Sequence, residues 1–473
     1  MSQHKRVIII GSGSAGISAL REVRRETEDF LIVNAGDWGT TCAARGCMPS
    51  KVLIEAANAY HRRHDFEAFG IGGADGLSID IPALMERVRR MRDGFTRSPR
   101  SIPDNLGEKA ISARAKLLGP NRVEIEGHGE VTADAIIIAT GSSPVLPKPW
   151  EAFGNRILTT DTIFELPDLP KRIAVIGMGA IGVELAQAMA RCGIEVHGFD
   201  ALETVAGMTD PEVGAVLRER IASELPLHLG AGAEISEGDS CLIVKGGDGV
   251  SFEADAVLAA MGRKPNIAGL GLESLGVPLS DRGMPEVDPC TMRIGDLPVF
   301  MTGDANGIRP ILHEAADEGH IAGRNALAAS DTAYCRRTPL AIAFSAPNAV
   351  RVGKTFKELE GQDILIGAAD FSKQPRARMA ETAHGMIRIY AEAGSGKLLG
   401  TEMALPAGEH FAHLFGFAIQ AGMDVHDMLA MPFYHPVLEE GLRGALRQIA
   451  KELPDPGRSD LADCPATGHP ALD

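Results

Sequence analysis

The chain has 473 residues, a formal net charge of −16, and 45% hydrophobic against 23% charged residues. That balance belongs to a globular protein of about three domains and excludes a long disordered chain. The acidic charge argues against a free-standing nucleic-acid binder, which carries a basic surface. No apolar run approaches the roughly 20 residues that span a bilayer.

A strand-like run, Val7-Ile8-Ile9-Ile10, begins too early to leave room for a signal peptide. Cytoplasmic residence is therefore expected. The cysteines are Cys42, Cys47, Cys192, Cys241, Cys290, Cys335 and Cys464. An odd, scattered set is not a secreted disulfide framework.

Gly11-Ser12-Gly13-Ser14-Ala15-Gly16 follows the first run, then a helical pattern to about Arg25 and a second strand, Phe30–Val33. Strand, glycine turn, helix and strand form the unit that binds a dinucleotide. Gly11 permits the tight turn, Gly13 admits a pyrophosphate, and Gly16 lets helix and strand pack closely. At the end of the second strand an acid is expected for the ribose, and Asn34 stands there. Its amide can hydrogen-bond a hydroxyl, without the assistance of charge.

Cys42-Ala43-Ala44-Arg45-Gly46-Cys47 comes next. Five residues of regular helix advance about 7.5 Å, beyond the usual Cα separation of a disulfide. A bridge needs a distorted helix start, which Gly46 eases. Pro49 suits a first turn. Thiols beside Lys51, Arg45 and a helix N-terminus should be partly thiolate at neutral pH. From spacing alone, two unlinked thiols in a loop remain equally open.

Helices are expected around 51–64 and 82–95, then a strand-rich stretch from 110 to 140 ending in Thr140-Gly141. Arg172–Ile176 and Gly177-Met178-Gly179-Ala180-Ile181-Gly182 then repeat the first unit, with a helix to about Arg191 and a strand Glu195–Phe199. Two units imply two dinucleotide sites. Asp200 ends that strand; an acid there bonds a ribose 2′-hydroxyl and repels a 2′-phosphate, which predicts NAD over NADP. A surface aspartate is the plain alternative.

Val257–Gly262 leads into Arg263-Lys264-Pro265-Asn266, and Val299–Met301 into Thr302-Gly303-Asp304. Asp304 is either a ligand at a strand end or a turn aspartate. From about 336 the strands Ala341–Ser345, Ile364–Phe371 and Met386–Tyr390 precede helices at about 408–421 and 437–453. This reads as a separate α+β domain. His435-Pro436 opens the last helix, with Pro436 at its first position and Glu440 able to hold one ring nitrogen. By itself, His-Pro is more often only a cap.

Taken together and in this order, from about residue 5 to about 453, these features resemble the pyridine nucleotide-disulfide oxidoreductases. The segment Gly39 to Lys51 is similar to that family's redox-active disulfide box. Thr302-Gly303-Asp304 is similar to its second FAD motif, and Gly177 to Glu184 to its NAD turn. The resemblance implies an FAD- and NAD-dependent homodimer. It implies redox catalysis by Cys42 and Cys47, with Lys51 paired to Glu184. It also implies that His435 and Glu440 act in the partner's site. Thr41, Lys51, Thr140, Gly141, Gly262 and Arg263 join the glycines, Asn34, Asp200 and Asp304 as expected cofactor contacts. No metal site is expected.

The implied fold is α/β: two Rossmann-like dinucleotide-binding domains plus a C-terminal α+β dimerisation domain. The implied boundaries are 1–150 and 271–335 for the two parts of the FAD domain, 151–270 for the NAD domain, 336–453 for dimerisation, and 454–473 for a flexible tail.

Within the family the chain is most similar to the dihydrolipoyl dehydrogenase branch, on Pro49-Ser50-Lys51, on Leu312-His313-Glu314-Ala315 through Gly319, and on Asp200. The implied partner is a lipoyl-bearing protein or a small disulfide or dithiol, with neither nucleic acid nor membrane. Departures are Thr40 for glycine, Arg45 between the cysteines, Phe433 for histidine and Val437 for threonine. Arg45 could face an anionic substrate, lower a thiol pKa or point to solvent. Rival readings are a mercuric- or glutathione-reductase-like enzyme and a non-catalytic flavoprotein component. Cys464 reads as an inert tail thiol.

Overall fold

A computed structural model of the chain describes residues 3–456. Cys464 and most of the expected tail lie outside the described residues.

Val7–Ile10 is wholly buried. That is why it reads as a continuous apolar run: strands covered on both faces need no polar alternation. Gln3–Ile10 pairs in parallel with Phe30–Asn34 on one side and Gly129–Ile138 on the other. Ala110–Ser112 extends the sheet beyond Phe30–Asn34. Gly129–Ile138 is long enough to serve three neighbours. Its first half pairs with the antiparallel strand Arg122–Ile125, and its last residues pair with Val299–Met301. A chain segment remote in sequence thus brings Thr302–Asp304 beside the first glycine turn.

The Leu312–Asn325 helix lies against the Ser14–Glu26 helix. A Cβ at Gly319 would collide with the Ala15 carbonyl, and one at Gly323 would press on Ala19. Small residues at this contact let the two backbones approach.

The second unit is a five-stranded parallel sheet. Its order is Leu227–Leu229, Glu195–Asp200, Arg172–Ile176, Ala256–Ala259 and Ile157–Leu158. A three-stranded antiparallel sheet packs on it through Leu242, Val244 and Phe252. Ser142–Pro144 and Arg263–Pro265 form a two-stranded link.

The C-terminal unit is a five-stranded antiparallel sheet containing the three expected strands. Asn348–Gly353 and Leu398–Leu405 are additional central strands. Helices Gly408–Gln420, Val425–Ala430 and Glu440–Glu452 supply Phe411, Phe415, Leu429, Leu442 and Leu446 to its core. The last helix begins at Glu440, later than His435-Pro436 suggested. The Glu440 carboxylate accepts the Val437 N–H at 3.2 Å, and turns at 435–436 and 438–439 precede the helix. Among the described residues no helix is long and apolar enough to cross a membrane.

Strand alternation sends Ile387 and Ile389 into that core and Arg388 and Tyr390 to the opposite face. There Tyr390 donates to Asp210 Oδ2 at 2.7 Å. Fully buried Glu402 accepts from the N–H groups of Thr209 (2.8 Å), Asp210 (3.0 Å) and Phe356 (3.0 Å), and from the Thr209 hydroxyl. Glu402→Leu strands those donors in an apolar site. The expected cost is about 3 kcal/mol or more, read as a lowered chemical-denaturation midpoint. An unchanged midpoint contradicts this role for Glu402.

Candidate active site

The two glycine turns have the same construction. Gly11 (φ +111°) and Gly177 (φ +99°) adopt backbone that favours glycine. A Cβ on either would collide with the chain leaving the neighbouring strand, at Ala139 and Ala260. A Cβ at Gly16 or Gly182 would strike the carbonyl of Gly11 or Gly177. Gly13 and Gly179 face open space instead. A side chain there would fill the cradle where a phosphate approaches a helix N-terminus. Both turns therefore fit a dinucleotide.

The residue closing each unit's second strand pins its turn. Asp200 Oδ2 accepts the Met178 N–H at 2.6 Å, and Oδ1 the Leu202 N–H at 2.9 Å. Asn34 Oδ1 accepts the Ser12 N–H at 3.1 Å. Its Nδ2 donates to the carbonyls of Gly36 (3.2 Å) and Asp37 (3.0 Å). An ionised carboxylate could not make those donations. Asn34 thus ties the first glycine turn to the loop that carries the cysteines. Gly39 N–H, which donates to Ser12 Oγ at 3.2 Å, makes a second tie.

The cysteine box is two helices, Thr41–Arg45 and Cys47–His61, broken at Gly46. This break resolves the helical-rise conflict, since a straight helix would hold the cysteines apart. Thr40 Oγ1 accepts the Ala43 N–H at 3.1 Å, which gives the unusual threonine a capping role. Cys42 is half-buried and Cys47 exposed; both thiols are free and hydrogen-bond each other. That shared bond divides the acidity. It raises Cys42, helped by burial, and lowers Cys47 to about 7. The Lys51 ammonium and the N–H of Cys47 at the helix start also favour the Cys47 thiolate.

Lys51 lies one turn beyond Cys47 on the same helix. Its Nζ donates to Glu184 Oε2 at 2.7 Å. Glu184 is buried on the Ala180–Arg191 helix of the second unit. Its other oxygen accepts the Phe344 N–H at 2.7 Å. One carboxylate therefore joins all three parts of the chain beside the thiols.

Arg45 is committed elsewhere. It donates to Asp37 Oδ2 at 2.7 Å and lies 3.6 Å from Asp161. Thr41 opens the first short helix of the box. Asp304 Oδ2 accepts from Ser142 Oγ at 2.5 Å. Arg263 donates to Ser142 Oγ (2.8 Å), the Ser142 carbonyl (2.6 Å) and Thr160 Oγ1 (3.4 Å), bracing the two-stranded link that follows Gly262. Beside it, Asn266 binds the Thr140 carbonyl at 3.0 Å and the Gly141 carbonyl at 2.9 Å. Thr140 Oγ1 is buried with no protein partner. An orphaned hydroxyl beside the first glycine turn suits a bound polar cofactor.

His435 stands apart from the thiols in sequence and is 74% exposed at its side chain. Its Nδ1 lies 3.0 Å from both Glu440 oxygens. The His435 contact, with the Val437 N–H, lowers the pKa of Glu440. The carboxylate orients the ring and leaves Nε2 available. Leu312 and His313 are exposed at the start of their helix.

Sequence reasoning missed Asp37, Ser142, Asp161 and Phe344. Each acts through a partner distant in the chain or in a loop without a motif. Only Asp37, close before the cysteines and opposite in charge to Arg45, left a local signal.

Two nucleotide-type turns around one close dithiol define a nucleotide-dependent disulfide oxidoreductase. Residues 5–319 match the pyridine nucleotide-disulphide oxidoreductase family, and residues 340–446 match that family's dimerisation domain. The chain belongs to this family. It is similar to the dihydrolipoyl dehydrogenase of Thermus scotoductus, 30% identical over 461 residues, covering 94% of this chain and 97% of the relative. The dihydrolipoyl dehydrogenase of Chlamydia pneumoniae is 30% identical over 475 residues, covering 97% and 100%. The fold is shared with LpdA from Mycobacterium tuberculosis, at a TM-score of 0.81, 24% identity, and coverage of 94% and 99%. It is also shared with the HOCl-induced flavoprotein disulfide reductase RclA from Escherichia coli, at a TM-score of 0.80, 21% identity, and coverage of 93% and 99%.

In the reduced protein, alkylation should report a thiol titrating near pH 7 that Cys47→Ser removes. Cys42→Ala deletes the hydrogen bond that contributes most and should move that titration upward. Iodoacetamide rate against pH checks both. A low titration that survives Cys47→Ser contradicts the division of acidity.

Proposed function

We propose that this chain is an FAD-dependent homodimer that oxidises protein-bound dihydrolipoyl groups with NAD⁺ through a Cys42–Cys47 disulfide. The observation that carries the reading is the pair of free thiols Cys42 and Cys47 at disulfide-like distance, backed by the Lys51–Glu184 ion pair. The names of the relatives support the substrate, and the dimerisation domain supports the homodimer. A cytoplasmic setting belongs to the same proposal. The domain boundaries inferred from the sequence are also kept.

Gly11, Gly13, Gly16, Asn34, Thr41, Lys51, Thr140, Gly141 and Asp304 would hold FAD. Gly177, Gly179, Gly182, Asp200, Gly262 and Arg263 would form the NAD site. Asp200 favours NAD by opposing a 2′-phosphate. When bound, the flavin would accept the electron pair of the reduced dithiol and return it to the nicotinamide as hydride.

The residues of this chain perform the sulfur chemistry. A substrate thiol gives its proton to His435 of the partner subunit and attacks Cys42. The Cys42–Cys47 bond breaks as a Cys42–substrate bond forms, and Cys47 leaves as thiolate. The second substrate thiol attacks the mixed disulfide, closes the oxidised lipoyl ring and releases Cys42. Cys42, whose pKa is raised, takes a proton, and Cys47 keeps the negative charge. Lys51 stabilises that charge. Glu440 holds His435 in place and supports its protonated form.

Anaerobic dihydrolipoamide should produce a long-wavelength thiolate-to-flavin charge-transfer band, absent in Cys47→Ser. His435→Gln should lower turnover about 100-fold or more. NAD⁺ should be used in preference to NADP⁺. Turnover with glutathione disulfide or mercuric ion, and none with lipoamide, would overturn the choice of substrate.

A further inference from the structure

Phe344 meets the Lys51–Glu184 pair twice. Its N–H donates to Glu184 Oε1 at 2.7 Å, and its ring centroid lies 4.6 Å from Lys51 Nζ. An ammonium at that distance over an aromatic face is attracted to the ring. The contact adds direction to the ion pair.

Two residues of the Ala180–Arg191 helix hold Phe344 in this position. Glu184 takes its N–H. One turn on, Gln187 Oε1 accepts the Ala346 N–H at 2.8 Å and its Nε2 donates to the Ala346 carbonyl at 2.9 Å. The segment 344–346 is thus clamped by three hydrogen bonds to one helix. Phe344 also packs against the core shared by the redox helix and the second unit. The C-terminal unit thereby places an aromatic face under a cation that serves the dithiol.

We propose that Phe344 is a positioning residue, whose ring and peptide nitrogen together keep the Lys51 ammonium aimed at the Cys42–Cys47 pair. The inference rests on the reading of that pair as the redox centre. Phe344 acts through Lys51 and Glu184, the two groups it meets. Without the ring, Lys51 keeps its carboxylate but loses the surface that fixes its other side. The cation then spends less time near Cys47, and the thiolate becomes harder to form.

The test is the pH dependence of Cys47 alkylation in the reduced, full-length protein. Phe344→Leu should move the Cys47 titration upward by about half a unit or more. Phe344→Tyr, which keeps the aromatic face, should restore it. In a Lys51→Met background, Phe344→Leu should add no further shift, because the cation it positions is gone. If the leucine variant fails to fold, Phe344→Met preserves bulk and carries the same expectations. An unchanged titration in the non-aromatic variant, or an equal shift without Lys51, overturns the proposal. A wild-type protein with no low Cys47 titration overturns the assignment of the redox pair itself, which separates the two failures.

Discussion

The site depends on one ion pair, Lys51 to Glu184. The lysine is on the redox helix and the carboxylate is buried on a helix of the second unit. A carboxylate removed from water must be satisfied at both oxygens, and Glu184 meets that demand with Lys51 and the Phe344 N–H. These two bonds lock three parts of the chain together. They also fix the position of the cation that favours the Cys47 thiolate. The same contact therefore assembles the fold and sets the charge of the site.

The two glycine units show how one local geometry is reused with different chemistry at its edge. Gly11 and Gly177 make the same close approach, and Gly16 and Gly182 the same helix packing. Asp200 and Asn34 both pin the second residue of their turn. The asparagine also donates to Gly36 and Asp37, which an ionised acid cannot do. The departure at Asn34 thus has a purpose in the loop leading to the cysteines, and Thr40 caps the first helix of the box. Arg45, the third unusual residue of this region, is turned away to Asp37 and Asp161. None of the three disturbs the thiol pair.

Features that depend on a few neighbouring residues were legible in the sequence: both strand–glycine–helix units, the break at Gly46, and the hydrogen bond from His435 to Glu440. Each follows from local backbone limits or from side chains a short step apart. The central strands Asn348–Gly353 and Leu398–Leu405 were not read, because their membership is decided by partners across the sheet. The start of the last helix was misplaced because Pro436 is compatible with a first helical position, whereas Glu440 takes the Val437 N–H and holds a turn instead. Phe344 carries no motif. Its importance comes from Glu184 and Lys51, both far away in the chain. The sequence therefore displayed the reacting groups more clearly than the supports that hold them.

In the proposed function, two sulfurs and a flavin form one electron store in each chain. Anaerobic reductive titration of the purified protein measures this most directly. The wild type should take up one electron pair per chain beyond what its bound flavin holds, and Cys47→Ser only the flavin's share. Equal uptake by both proteins, or a wild type that carries no flavin, would contradict it.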